Sequence, residues 1–255
     1  MLAAMSSPNP AQNQLLRALL CPELERLFVH LQRVTFSLGE VIVEAGQRAG
    51  YGYFLTNSIA SLLYTMENGT AAETAVVGND GVVGTPIFLG GDTSCSRAVV
   101  TVAGEAYKVP AHVLLEEFER SAVLQRVLLR YTQALITQIS LTAVCNRLHS
   151  VEQRLCRWLL MCHDRTGCFE LLMTQELIAH MLGGRRESVT VAAGRLQDLG
   201  LIHYYRGHIR ILDRLRLESS VCECYRIVED ERKRLYDAKR LLQVSRSSAA
   251  FERAG

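Results

Sequence analysis

The 255-residue sequence predicts an α+β chain: an antiparallel β-roll, then one long helix, then a small helical unit closed by a β-hairpin. Three observations predict it. Over residues 35–109, short β-rich runs recur at roughly ten-residue spacing with turn residues between them, the pattern of an antiparallel sandwich or jelly roll. Over 111–147 there is neither Gly nor Pro, and apolar residues return every three or four positions, which is helical. Over 173–213, two helix signals flank Gly183-Gly184 and lead into two short strand-like runs.

Composition narrows the class. Apolar residues make up 49%, enough to bury a core, and the 21% of charged residues excludes a fully disordered chain. No apolar run approaches the roughly 18 residues of a membrane helix, so no membrane partner is expected. The first residues lack the basic start and apolar stretch of a secretion signal. The expected compartment is therefore the cytoplasm, and the eight cysteines are expected as reduced thiols. The net charge of +2 is unevenly placed: residues 1–146 hold 9 Lys/Arg against 12 Asp/Glu, and residues 147–255 hold 19 against 14. A basic second half is the half expected to meet a polyanion.

Taken in order, residues 1–13 read as a disordered lead. A helix is predicted over 14–31, with Pro22 opening its second half. The roll domain spans 14–110, with strands predicted at 41–43, 52–55, 59–65, 74–77, 98–102 and 106–109. Asn68-Gly69 marks a hairpin, because both residues tolerate positive φ. The long helix is predicted over 111–148. Its stripe of Leu124, Leu128, Tyr131, Leu135, Gln138 and Thr142 runs along a rod of roughly 50 Å, longer than a small domain can cover. Leu124, Leu128, Tyr131 and Leu135 are therefore expected to form the seam of a coiled-coil homodimer. Ser150 and Gln153 fit a capping box, so a new helix and a new domain, 149–220, begin there. Residues 221–255 are expected as a C-terminal helix and a disordered tail.

Within 149–220, Thr174 is a fair N-cap for a helix ending at Leu182. A second helix is predicted over 186–199, ended by Gly200, and a hairpin over 201–212 with its turn at Arg206-Gly207-His208. Helix, turn, helix and two-stranded wing is the winged helix-turn-helix layout, whose second helix fits a major groove about 12 Å wide. Arg186, Glu187, Ser188 and Thr190 would face base edges. Arg can take both guanine acceptors, Glu can accept from cytosine N4, and Ser or Thr can do either. Thr174, Gln175, Arg185, Arg195, Arg206 and His208 would contact phosphates.

The run Leu172-Met-Thr-Gln-Glu-Leu-Ile-Ala179, followed by Leu182-Gly-Gly-Arg-Arg-Glu-Ser-Val-Thr190, resembles the DNA-binding signature of the Crp/Fnr family of bacterial transcription regulators. The order of parts is similar over residues 14–220. The resemblance implies a cyclic-nucleotide-binding-like jelly roll, a dimerisation helix, a sequence-specific regulator on an inverted-repeat operator, and RNA polymerase as a further partner. It implies that the Arg-Glu pair matching Arg186-Glu187 reads bases. Many members carry another base-reading Arg four residues past the Glu; here that position is Val191, so the half-site should differ, with Val191 placed to touch a thymine methyl.

In the cyclic-nucleotide members, a Gly-Glu-Leu-Gly turn holds the ribose and an Arg-Ser-Ala run holds the cyclic phosphate. The matching positions are Gly81-Val82-Val83-Gly84 and Ser96-Arg97-Ala98. Val82 has no carboxylate, and Arg97 stands one place late, on the opposite strand face. An effector pocket is thus expected at Gly81, Gly84, Ser96 and Arg97, with cyclic nucleotide disfavoured. An iron–sulfur centre of the oxygen-sensing type is disfavoured too, since Cys21 is the single cysteine near the N-terminus. Cys156, Cys162, His163 and Cys168 form a loose group, and Cys222 and Cys224 stand two apart; neither spacing is a zinc motif, so buried structural thiols and no metal are expected. No spacing singles out a haem ligand among His30 and the other histidines. The alternative, a cupin-like small-molecule-binding protein or enzyme with an accessory helical domain, needs metal-binding histidines inside its barrel. The β half has none between His30 and His112, and no catalytic set emerges. A third reading turns the wing and helix to protein contacts.

Overall fold

A computed structural model of the chain describes residues 9–19 and 21–236. It opens with a 3-10 turn, Pro10–Gln12, and two short helices, α1 (Gln14–Arg17) and α2 (Cys21–Phe28), where one helix was expected. The expected lead is too long. Asn13 is fully buried, and its amide donates to Leu55 O and Gly81 O at 2.9 and 2.8 Å while its Oδ1 caps α1. Residues 1–8 of that lead, and the tail from 237, lie outside the described residues.

The roll consists of β1 (Gln32–Phe36), β2 (Val41–Val43), β3 (Tyr51–Leu55), β4 (Ile59–Thr65), β5 (Ala71–Val77), β6 (Val82–Val83), the short helix α3 (Pro86–Leu89), β7 (Arg97–Val102) and β8 (Gly104–Pro110). They pair antiparallel as two four-stranded sheets, β1-β8-β3-β6 and β2-β7-β4-β5. The α+β class with an antiparallel roll is therefore as the alternating pattern predicted. Phe36, Leu55, Ala60, Val77, Val83, Ala98, Val100 and Ala106 fill the space between the sheets. Strand β1 escaped sequence reading because it is polar and mostly exposed, and β6 because it is two residues long.

The long helix breaks once. Ser121 takes extended backbone and its hydroxyl accepts from Leu124 N at 3.2 Å, so α4 (Ala111–Arg120) ends and α5 (Ala122–Leu148) begins. At 27 residues, α5 is about 40 Å long. Its stripe does not face a partner. Leu124, Leu128, Tyr131 and Leu135 are buried against the chain's own roll and α4, in one cluster with Phe54, Ala75 and Val82. Tyr131 donates to Val82 O at 2.9 Å, and a Cβ on Gly81 would stand 2.6 Å from its ring. The homodimer seam assigned to these four residues is thus corrected: periodicity shows that one face is covered, and the roll covers it. The neighbouring face, roughly 100° around the helix, leaves Leu129, Ile136 and Ile139 exposed at 47%, 52% and 37%.

Helix α6 (Val151–Thr166) starts at Ser150 with both halves of the predicted capping box in place. After it come β9 (Glu170–Leu172), α7 (Gln175–Leu182), α8 (Arg186–Asp198), β10 (Ile202–Tyr205), β11 (His208–Ile211), α9 (Arg214–Ser220) and α10 (Glu223–Tyr236). Among the described residues, no helix is long and apolar enough to cross a membrane.

Roll and helical unit share one core. Leu159, Leu160 and Cys162 of α6 join Ile59, Leu63 and Val76 of the roll. Polar groups fix the register of this joint. Buried Arg165 donates to both carboxylate oxygens of Asp80, at 3.1 and 2.8 Å, and to Gln138 Oε1 at 3.1 Å. Its stem lies on the backbone at Gly78, where a Cβ would come within 2.7 Å. Nearby, buried Glu73 accepts from Ser61 Oγ and, at 3.4 Å, from Trp158 Nε1. Helix α10 then returns along α5 to the roll, where Tyr236 donates to Asp80 O at 2.8 Å and Arg232 to Gln14 Oε1 at 2.9 Å.

Candidate nucleic-acid interface

The second half builds a two-helix unit with a wing. Thr174 Oγ1 accepts from Leu177 N at 3.2 Å and caps α7, whose Ile178, Ala179, Met181 and Leu182 are buried. Gly183, at φ +58°, ends α7 in the left-handed conformation that glycine adopts without a Cβ penalty. Helix α8 then buries Val189, Ala192, Ala193 and Leu196. The wing pairs Ile202 with Ile211 and Tyr205 with His208, its turn made by Arg206 (φ +43°) and Gly207 (φ +81°), two successive positive-φ residues as a tight hairpin requires. Strand β9 adds a third strand beside β11.

This packing leaves the start of α8 open. Arg185, Arg186, Glu187, Ser188, Thr190 and Val191 are all exposed, Val191 at 55%. Arg185 occupies the N-cap without a side-chain cap bond, so the first N–H groups of α8 remain available at the positive end of the helix. Thr190 is bound on both sides: its hydroxyl lies 2.8 Å from Gln175 Oε1 and donates to Arg186 O at 3.0 Å, locking α7 to α8. Arg206 stacks its guanidinium over Tyr205 at 5.1 Å on the wing. Arg195 lies 3.8 Å from Glu152, and His208 lies 3.1 Å from Glu170, so both have a carboxylate to leave before reaching a phosphate. Of the predicted residues, Thr174 and Gln175 stand at the start of α7, Arg185 to Val191 at the start of α8, and Arg206 and His208 on the wing, whereas Arg195 stands in the last turn of α8 beside Glu152 of α6.

Two family models match the chain. One, a cyclic nucleotide-binding domain, covers residues 33–121; the other, a Crp-like helix-turn-helix domain, covers residues 153–220. The chain belongs to the Crp/Fnr family. It is a DNA-binding transcription regulator. Among solved structures, a Crp/Fnr-family regulator from Eubacterium rectale is 19% identical with a TM-score of 0.62, covering 81% of this chain and 96% of its own. FixK2 from Bradyrhizobium japonicum is 17% identical with a TM-score of 0.64, covering 75% and 98%. The c-di-GMP-responsive regulator CLP from Xanthomonas campestris is 17% identical with a TM-score of 0.61, covering 75% and 99%. At these identities the likeness is one of fold. No curated protein sequence matches the chain.

The Crp/Fnr roll has a small cavity of about 30 Å³ where an effector pocket was expected, room for about two waters. Gly84 and Ser96 line it, with Val82, Val83, Tyr131 and Leu135. Gly81 instead makes room for the Tyr131 ring, and Arg97 points away to Glu44, 3.1 Å distant. Those two residues are removed from the expected pocket, Arg97 for the strand-parity reason visible in the sequence.

The loose group at 156–168 does not assemble. Cys156 and Cys162 are buried in the core, whereas His163 Nδ1 lies 3.1 Å from Cys168 O and Cys168 is exposed. A different group does. Cys145, His149, Cys222 and Cys224 bring their ligand atoms within 4.8 Å of one another. Sequence reading noted Cys222 and Cys224 as a pair and had no signal joining them to α5.

Proposed function

We propose that this Crp/Fnr chain binds an inverted-repeat operator as a homodimer, with Arg186, Glu187, Ser188, Thr190 and Val191 facing base edges and Thr174, Gln175, Arg185, Arg195, Arg206 and His208 around the phosphates. The observation that carries it is the open start of α8, six exposed residues on a helix whose other face is wholly buried. A helix of 13 residues, about 20 Å, suits a major groove. The unpaired apolar stripe of α5, Leu129, Ile136 and Ile139, supports the two-fold partner: its spacing of seven and three is that of a coiled-coil seam. RNA polymerase is the downstream partner that the family resemblance implies. The narrow cavity and the diverted Arg97 support an effector other than a cyclic nucleotide.

Glu187 and Arg206 test the reading. A carboxylate beside DNA is repelled by phosphates, so it needs a base donor, and cytosine N4 is the one available. Glu187→Ala should relax discrimination at one base pair per half-site by about 1–3 kcal/mol, read against a panel of single-base operator variants. Arg206→Ala should weaken all sequences alike and make the salt slope shallower by about one unit. An unchanged specificity profile for Glu187→Ala would refute direct readout.

A further inference from the structure

We propose that Cys145, His149, Cys222 and Cys224 hold one tetrahedral metal ion of the zinc class, a structural site clamping the end of α5 to the junction of α9 and α10. Cys145 and His149 stand one turn apart at the end of α5, and Cys222 and Cys224 lie between Ser220 and the first turn of α10. Cys145 Sγ lies 3.6 Å from Cys222 Sγ, and Cys224 Sγ lies 3.6 Å from His149 Nδ1. Zn–S bonds of about 2.3 Å at tetrahedral angles place two sulfurs roughly 3.8 Å apart, so these donors already stand at the edges of one coordination shell.

The surroundings independently favour an ion. His149 turns Nδ1 to the thiols and Nε2 to Glu223, whose Oε2 is 3.4 Å away. That carboxylate holds the proton on Nε2 and leaves the Nδ1 lone pair for a metal, the usual outer-shell arrangement of a metal-binding histidine. All three sulfurs are buried, and buried Arg157 lies against Cys145. Arg157 donates to Thr142 Oγ1 at 2.6 Å, leaves its Nε without a partner, and has no carboxylate within ion-pair distance among the described residues. Three thiolates, a neutral imidazole and a divalent ion sum to one negative charge, which would face this guanidinium from the side away from Glu73, the buried carboxyl it also acts on. Thiolates and imidazole select zinc over harder ions, and four protein ligands leave no open position, so the site is structural and not catalytic. A multinuclear iron–sulfur centre would interpose further irons and sulfides and needs its protein ligands farther apart. The clamp spans the hinge at His149-Ser150, so it ties the DNA-binding unit and α10 to the helix that carries the proposed dimer face.

The test uses the full chain, purified without added metal or chelator. Elemental analysis should find about one zinc per chain, and cobalt(II) should saturate at about one equivalent with the intense visible bands of a tetrahedral thiolate site. Cys222→Ser should lose the zinc, whereas Cys168→Ser, at an exposed cysteine elsewhere, should keep it. His149→Cys should retain the ion in an all-sulfur shell and His149→Ala should not. Should Cys222→Ser fail to fold, the cobalt spectrum of the unaltered chain still decides. Protein with no bound zinc and no cobalt–thiolate bands would overturn the site. So would iron with acid-labile sulfide, or a Cys145–Cys222 disulfide in protein prepared anaerobically.

Discussion

The two faces of α5 carry similar apolar residues and have opposite fates. Leu124, Leu128, Tyr131 and Leu135 are sealed against the roll, while Leu129, Ile136 and Ile139, roughly 100° around the helix, lie open. The sealed face continues into polar contacts, with Gln138 donating to Val76 O at 2.9 Å and accepting from Arg165. Among the described residues, the open face has no such polar register. The covered helix face is fixed within the chain by specific hydrogen bonds; the uncovered one is the face proposed for a second copy.

Three variants probe this contrast, from the largest expected effect on folding to the smallest. Leu128 is fully buried on the sealed face, so Leu128→Ala should cost about 2–5 kcal/mol of stability in chemical denaturation. Folded Leu128→Ala protein should still sediment as the unaltered chain does. A stably folded monomer would show that the sealed face is the dimer seam after all.

Glu73 sits where the sealed face meets α6. Burial pushes its carboxyl up from 4.5 to about 7, partly opposed by the Ser61 and Trp158 hydrogen bonds. A folded pKa above the unfolded one gives stability that is full below pH 4.5 and lost as pH rises through about 7. The loss is on the order of 3 kcal/mol. Glu73→Gln keeps an oxygen to accept both bonds and cannot ionise. Its stability should therefore be flat across that window and exceed that of the unaltered chain at pH 8. A parallel pH profile for both proteins would remove Glu73 as the source.

Leu129→Lys combined with Ile136→Lys should change the stability of the single chain least, by about 0.5 kcal/mol or less, because both side chains face solvent. The same pair should convert the proposed dimer to monomer in sedimentation and abolish tight operator binding. A dimer that survives both lysines would move the interface elsewhere.

Much of this was legible in the residues. The caps at Ser150 and Thr174, the glycine stop at Gly183 and the Arg206-Gly207 turn are local events. Each depends on hydrogen bonds or φ values within about four residues, so sequence spacing alone determined them. Helix α8 followed from the same rules, and with it the exposure of Arg186, Glu187, Ser188 and Thr190 at its start. The offset of Arg97 was also legible, because strand parity is a local property.

What the tertiary structure decided is everything that joins distant segments. The stripe of α5 showed that one face is covered, but the roll, and not a second copy, covers Leu124 to Leu135. Gly78 and Gly81 are the places where Arg165 and Tyr131 lie against the backbone. Most of all, Cys145 and His149 stand more than seventy residues from Cys222 and Cys224. Cys145 and His149 stand one helical turn apart, but two ligands do not make a site, and the return of α10 along α5 brings the two pairs together. Local hydrogen bonding and steric limits act over a few residues and leave their mark in spacing. Burial and ligand geometry are set by which surfaces meet, and spacing along the chain does not carry that information.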